Sequence, residues 1–363
     1  MSRLSGSAFY NTGFVTGQAT GFGSGAKAGQ DNIVLPPIAG AKGGMMLLRW
    51  VLSVSVLLLA QLAPASAYPE RPIRVIVPYA AGGATDVVAR VLAEAITPFL
   101  SQPMIIENRG GAGGMVGATH VAKAKPDGHT LLLVTGAYPA AAALTSTPAF
   151  DPIKDMAMVS LVTAYPFIIN VPANSAFKTF PDLVAHAKKN PGTLNYATSG
   201  VGSISHLSAE LMNAMANIET VHIPTKGGNT ALSETLAGRV DFLFEAPTLS
   251  LPFIKSGKLR ALAATGRERY KPMPELANVS EALPGYEVYS FIALGVTGGT
   301  PDAVVQYLNA ELRKIVGQAD VARRLVDLGG EPQANSPDEM NRYVASELRK
   351  WRQVIDSRKI ERP

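Results

Sequence analysis

The stretch Ile73-Arg74-Val75-Ile76-Val77-Pro78-Tyr79-Ala80-Ala81-Gly82-Gly83-Ala84-Thr85-Asp86 decides how the chain folds. Ile73 to Val77 is a short, strongly apolar strand ended by Pro78, and a Gly-containing loop carries it forward. Thr85 then stands as N-cap of a helix whose Val88, Val91, Leu92, Ala95, Ile96 and Phe99 recur at three- and four-residue steps. Asp86 falls in the first turn, where the helix dipole favours an acid. A strand that enters a helix through such a loop is one βα unit, and its unpaired N–H groups face outward with a positive helix end behind them. Tyr79, Ala81, Gly82, Gly83, Thr85 and Asp86 therefore line a candidate anion site. Each N–H donated to a carboxylate contributes about 1.5 to 3 kcal/mol. A few such bonds approach the roughly 8 kcal/mol of a micromolar complex. On this stretch alone, a plain tight turn permitted by Gly82 and Gly83 is the competing reading.

The unit recurs along the chain. Met104 to Glu107 is followed by the loop Asn108 to Gly114 and a helix to about Lys125; Pro126-Asp127-Gly128 then turns into the strand His129 to Val134. Further strands are expected over Phe167–Val171, Leu194–Ala197, Thr220–Ile223, Val240–Phe244 and Leu259–Ala264, with helices starting near Phe180, Ser205, Gly228 and Pro247. Val288–Val296 is strand-like, and helices begin near Pro301, Asp320 and Pro337, the last carrying Trp351. No Gly/Ser- or Pro-rich linker separates the halves. The expected architecture is α/β with two lobes, 68–165 plus 291–363 and 166–290, joined by crossings near 165 and 290, the C-terminal helices packing back on the first lobe. A cleft between such lobes closes by a hinge.

Three second-lobe loops point into that cleft. Thr198-Ser199-Gly200-Val201-Gly202-Ser203-Ile204-Ser205-His206 repeats the strand-to-helix logic, with Ser199, Ser203 and Ser205 as hydroxyl donors and His206 as either a donor or a helix cap. Pro224-Thr225-Lys226-Gly227-Gly228 offers a cation. Glu245-Ala246-Pro247 ends a strand with an acid that either receives a ligand ammonium or pairs with Lys226.

Composition narrows the chemistry. With 47% apolar and 17% charged residues over 363 positions, the chain has material for large cores, and its net charge of +5 is spread without a dense basic run. That argues against a nucleic-acid partner. The absence of Cys excludes disulfides, thiolate nucleophiles and Cys-ligated metals. Gly111-Ala112-Gly113-Gly114 with Gly117 does not fit G-x-G-x-x-G, no phosphate-binding G-x-x-x-x-G-K-[ST] occurs, and no cofactor is expected. Ser175-Ala176-Phe177-Lys178 matches S-x-x-K without its companion motifs, and His120, His129, His186, His206 and His222 lack metal-site spacing. The enzymatic alternative is an α/β hydrolase using Ser203 or Ser199 with His206. An effector domain of a transcription regulator shares the fold class but needs a helix-turn-helix segment, which is not found.

The first 67 residues read differently. Residues 1–44 hold ten Gly, one acid and no periodicity, the composition of a disordered leader or of an upstream start that the cell does not use, the second being favoured. Met45-Met46-Leu47-Leu48-Arg49, the apolar run Val51–Ala63 and Pro64-Ala65-Ser66-Ala67 are the three parts of an export signal over 45–67, cleaved after Ala67. The competing membrane anchor needs about 20 apolar residues, longer than this run. Arg3, Lys27, Lys42 and Arg49 against Asp31 carry +3 of the +5, so the exported chain is left at +2 in a bacterial periplasm.

As a group the motifs resemble a known family. Tyr68-Pro69-Glu70-Arg71-Pro72 running into the first strand, Gly82-Gly83-Ala84-Thr85-Asp86, Glu107-Asn108-Arg109-Gly110-Gly111-Ala112-Gly113-Gly114 and Lys125-Pro126-Asp127-Gly128 are similar to the tripartite tricarboxylate transporter substrate-binding (Bug or TctC) family. Asn190-Pro191-Gly192-Thr193-Leu194-Asn195-Tyr196, His222-Ile223-Pro224-Thr225-Lys226-Gly227, Gly257-Lys258-Leu259-Arg260-Ala261-Leu262 and Gly298-Gly299-Thr300-Pro301 continue the match in order to the Trp351 helix. The resemblance implies a two-lobed periplasmic binding protein-like fold of type II, no catalysis, and a monomer. It implies capture of a small organic carboxylate or amino acid for delivery to the membrane subunits of a tripartite tricarboxylate transporter. It places ligand contacts on Tyr79–Asp86, on Ser199–His206 including Gly202, and on Thr135–Ala137, with backbone groups and ordered waters making much of the contact. Ala81 and Ala84 replace a common Pro or Gly, Thr225 a usual Tyr and Glu245 a common Asp, which leaves the ligand's identity open.

Overall fold

The computed structural model describes residues 68–362 apart from residue 226. The leader, the export signal and Lys226 lie outside the described residues. From the amino end, β1 (Ile73–Val77) leads into α1 (Ala84–Ile96), β2 (Met104–Asn108) into α2 (Met115–Ala122), and β3 (Thr130–Thr135) into α3 (Ala137–Leu144). Then follow β4 (Met156–Pro166), β5 (Ile168–Pro172), α4 (Phe180–Lys189), β6 (Asn195–Thr198), α5 (Ile204–Ala216), β7 (Val221–Pro224) and α6 (Gly228–Leu236). The chain continues through β8 (Phe242–Glu245), α7 (Pro247–Lys255), β9 (Leu259–Ala264) and the short α8 (Val279–Ala282). It closes with β10 (Tyr289–Thr297), α9 (Asp302–Val316), α10 (Ala319–Asp327), β11 (Glu331–Pro332) and α11 (Pro337–Ser357). No described helix is long and apolar enough to cross a membrane.

Two sheets result, one in each lobe. The six-stranded sheet has order β11-β4-β10-β3-β1-β2, and the five-stranded sheet β7-β6-β8-β5-β9. β1 runs parallel to β2 and β3, and β6 parallel to β7 and β8. β10 pairs antiparallel with both β3 and β4. The chain passes between sheets from Pro166 to Ile168 and returns into Tyr289, giving a two-lobed fold of type II.

The inner strands are buried on both faces, which is why they read as unbroken apolar runs. Leu131 and Leu133 of β3 pack with α1, α9 and α10 through Val88, Leu92, Leu308, Leu312 and Leu325; Leu132 and Val134 pack on the other face with Met158, Phe291, Met340 and Val344. α11 is set by local chemistry. Ser336 accepts from the Glu339 N–H while Glu339 accepts from the Ser336 N–H, and Pro337 begins the helix. Its second half leaves the first-lobe core. Leu348, Trp351, Val354 and Ile355 join Ala140, Ala142 and Ala143 of α3 and Leu207 and Met212 of α5 in a cluster that spans both lobes. Arg358 Nε donates to Glu210 Oε2 at 2.6 Å just beyond it.

Strand and helix bounds shift by one or two residues, the short α8 and β11 were not expected, and four further departures matter for the site. α2 ends at Ala122 rather than near Lys125, because Thr297 Oγ1 donates to the Val121 carbonyl at 2.8 Å and Pro126 forbids continuation. α1 begins at Ala84 with Gly83 as N-cap, so Thr85 lies inside the helix and does not cap it. α3 was not expected, since its Ala-rich sequence carries no amphipathic period; Pro139 is tolerated because within the first turn a missing N–H costs no helical bond. β4 was not expected because Met156–Pro166 is buried on nearly every residue and lacks alternation.

Trp351 is fully buried where the two lobes share one cluster. Trp351→Ala should lower unfolding free energy by about 3 to 5 kcal/mol in urea titrations. A loss below about 1 kcal/mol would contradict the packing role assigned to it.

Candidate functional site

The first-lobe loop is shaped by one carboxylate. Asp86 Oδ2 accepts from the Gly82 N–H at 2.9 Å and from Arg90 Nε at 2.9 Å, while Oδ1 accepts from Asn108 Nδ2 at 2.9 Å. Asn108 Nδ2 also reaches the Tyr79 carbonyl at 3.1 Å, tying the loop to the end of β2. The Arg90 hydrogen bond, then the Gly82 and Asn108 donors, hold the Asp86 carboxyl down at about 2 against the opposing push of burial. Both oxygens are occupied, so Asp86 shapes the loop and is not itself a free ligand contact. Ala81, Gly82 and Gly83 are exposed. At the start of α1 the N–H groups of Gly83 and Thr85 have no acceptor among the described residues. Tyr79 reaches back to β3, its hydroxyl 2.9 Å from Thr135 Oγ1, and Ala137 lies half-buried in the first turn of α3.

The second-lobe loop spends more of its groups internally. Ser203 is the N-cap of α5, its Oγ accepting from the His206 N–H at 3.3 Å and donating to the Gly200 carbonyl at 2.7 Å. Gly202 donates its N–H to His206 Nδ1 at 3.0 Å. At φ +72° any side chain is strained, and a Cβ on Gly202 would come within 2.2 Å of a Leu144 methyl at the end of α3, which would have to move, so this position favours Gly. Gly202 therefore spends its N–H on the loop, while His206, accepting at Nδ1, carries its proton on Nε2, which donates to no described residue. Ser199, Ser203 and Ser205 are left as a cluster of hydroxyls, Ser205 Oγ lying 3.4 Å from Ser199 Oγ and 3.1 Å from Ser203 Oγ. His206 stacks on His222 with ring centroids 3.8 Å apart, and His222 Nε2 shares a 2.6 Å hydrogen bond with Thr198 Oγ1. Burial, then the neighbouring His206, pushes His222 down to about 4, and burial also lowers His206. Both rings are neutral near pH 7, as the acceptor role of His206 Nδ1 requires.

This geometry removes the hydrolase reading. Among the described residues no serine hydroxyl bonds the His206 ring, whose Nδ1 is taken by Gly202. A nucleophile needs a base within hydrogen-bond reach.

The remaining elements bring the lobes together. Tyr165, at the end of β4, lies close enough to feel both Tyr79 and Glu245, and burial raises its hydroxyl above the usual range. Glu245 ends β8, buried, with Oε1 accepting from the Ala246 N–H at 2.8 Å. Burial pushes its carboxyl up to about 7. Whether it pairs with Lys226 lies outside the described residues. Sequence reasoning assigned no role to Asn108, Tyr165 or His222. Asn108 stood in the Glu107-Asn108-Arg109 motif, and its position at a strand end was the available signal.

Residues 88–360 match the Tripartite tricarboxylate transporter family receptor, TctC. BugT of Bordetella pertussis is 33% identical over 298 residues, spanning 81% of this chain and 91% of BugT. Two solved structures are similar over their full lengths. Rpa4515 of R. palustris with adipate is 32% identical at TM-score 0.71, covering 81% of this chain and 99% of that one. MatC of Rhodopseudomonas palustris with bound malate is 34% identical at TM-score 0.68, covering 79% and 100%.

A carboxyl held down to about 2 stabilises the fold above its unfolded value near 4, and that contribution is lost as pH falls through both. Asp86→Asn should therefore cost about 1 to 3 kcal/mol at pH 7. The gap from the parent protein should close by about pH 2. Urea titrations at both pH values check this, and a pH-independent gap would be the contrary result.

Proposed function

Because this chain belongs to the TctC family of tripartite tricarboxylate transporter receptors, we propose that it is a periplasmic solute-binding protein that closes over a small dicarboxylate. It hands that ligand to the membrane subunits of a tripartite transporter, and it is a receptor rather than an enzyme. The observation that carries this reading is that both lobes carry a strand-to-helix loop built as an anion site, one with unclaimed backbone N–H groups and one with clustered hydroxyls. Adipate and malate, the ligands of two relatives about one-third identical, are both dicarboxylates. Neutral donors suffice for them, since each N–H to a charged oxygen contributes about 1.5 to 3 kcal/mol.

In this reading Tyr79, Ala81, Gly82, Gly83, Thr85, Thr135 and Ala137 contact the ligand from the first lobe and Ser199 from the second, with Ser203 shaping the loop beside it as the N-cap of α5. Asp86, Gly202 and His206 hold the two loops, and Lys226 and Glu245 complete the second-lobe side. The lobes comprise 68–165 with 291–363 and 166–290, the protein acts as a monomer, and amino acids with two carboxylates are admissible ligands.

Calorimetry and thermal shift with malonate through suberate, malate, citrate, aspartate and glutamate should give micromolar binding for at least one. Absence of any shift or heat across the panel would overturn the reading. Intact-mass measurement of protein recovered from a periplasmic fraction should give a chain starting at Tyr68; a retained 45–67 segment would contradict cleavage after Ala67.

A further inference from the structure

We infer that Glu245 is the specificity-determining acid of the cleft and enters the complex protonated, donating from Oε2 to a ligand carboxylate, so that each dicarboxylate is captured together with one proton. The inference rests on the dicarboxylate reading proposed above and adds to it the protonation state in which the site accepts its ligand.

The placement of the group argues for it. Glu245 is only 7% exposed at the carboxyl end of β8, where the strand's end and the first turn of α7 meet. Oε1 is held by the Ala246 N–H at 2.8 Å, whereas no described residue gives Oε2 a hydrogen bond. Oε2 lies against Gly228, the first residue of α6, where any Cβ would come within 2.8 Å, so a glycine keeps this side of the carboxyl open. Among the described residues, the groups around it are neutral. Its register partner on β5 is Ile168; the first turns of α6 (Gly228, Asn229, Thr230) and α7 (Pro247, Thr248, Leu249) carry no charge. Among the described residues, Tyr165 on β4 is the titratable group that stands near it, with Tyr79 beyond, and burial raises both hydroxyls above their usual range. Burial without a described counter-charge pushes Glu245 up to about 7.

A second anionic carboxylate brought beside this one makes ionisation of Glu245 costlier still, as in paired carboxylates that share a proton. The neutral acid instead donates a hydrogen bond. The ionised acid would suit a ligand ammonium, and the two cases give opposite proton traffic: uptake for a carboxylate, release for an ammonium.

The test is calorimetry of malonate through suberate from pH 6 to 9 in two buffers of different ionisation enthalpy, with proton uptake read from pH 7 upward, where the ligands' own carboxyls are ionised. Net proton uptake should accompany binding, near half a proton at pH 7 and approaching one above pH 8, and Kd should rise about tenfold per pH unit above about 7. Glu245→Gln keeps a donor but cannot ionise: its Kd should lose the pH slope, and at pH 9 it should bind at least about tenfold more tightly than the parent protein. Proton release on binding, a flat Kd in the parent protein, or a Gln variant weaker at every pH would overturn the inference. Loss of the slope in Lys226→Met would overturn it too, by assigning the titration to an ion pair. If none of the dicarboxylates binds at pH 6, the dicarboxylate reading itself fails, and with it the premise used here.

Discussion

Thr265 is where the two lobes are tied to each other. It is fully buried, and its N–H donates to the Phe167 carbonyl at 2.9 Å while its carbonyl accepts from the Val288 N–H at 2.9 Å. Its hydroxyl accepts from the Phe167 N–H at 2.8 Å and donates to the Val288 carbonyl at 2.7 Å. Phe167 is the residue at which the chain leaves the first sheet and Val288 the one before it returns. One small side chain thus satisfies the backbone of both crossings at a point where strand pairing is interrupted and no water is available. Tyr165 and Ser290, paired in register on β4 and β10, are held a few residues away, so the same junction places the tyrosine that stands near Tyr79 and Glu245.

The site built around this junction uses few charges. Arg90 is committed to Asp86 and Arg358 to Glu210, both in building the frame. In the proposed site, the described groups offered to the ligand are a helix start, a cluster of serine hydroxyls, tyrosines and a buried acid. Such a surface attracts an anion through local dipoles rather than net charge. The two loops reach this state in different ways. The first is anchored from outside, by an amide 22 residues along the chain. The second is anchored by its own histidine, whose ring must stay neutral to accept from Gly202 and which is kept so by burial against His222.

Where local chemistry decides, the sequence could be read closely. β9 was expected at Leu259–Ala264 and is found there; α4 begins at Phe180 behind the Thr179 cap; α6 and α7 begin at Gly228 and Pro247. Where long-range partners decide, it could not. Thr85 has the chemistry of an N-cap, yet the Asp86 carboxylate bonds the Gly82 N–H and moves the helix start to Ala84. Ser203 and His206 have the residue types of a nucleophile and base, yet the hydroxyl is turned to the Gly200 carbonyl and the ring to Gly202. α3 and β4 escaped because an Ala-rich helix and a strand buried on both faces carry no amphipathic period.

The sequence by itself determined the α/β class, the strand-to-helix glycine loops and the family, because each rests on spacing within a few residues or on ordered motifs. Only the tertiary structure decided which donors in those loops are spent and which remain, and that Glu245 is buried without a described counter-charge. Those outcomes depend on Asn108, Tyr165, Leu144 and His222, residues brought to the site by packing and not by proximity along the chain.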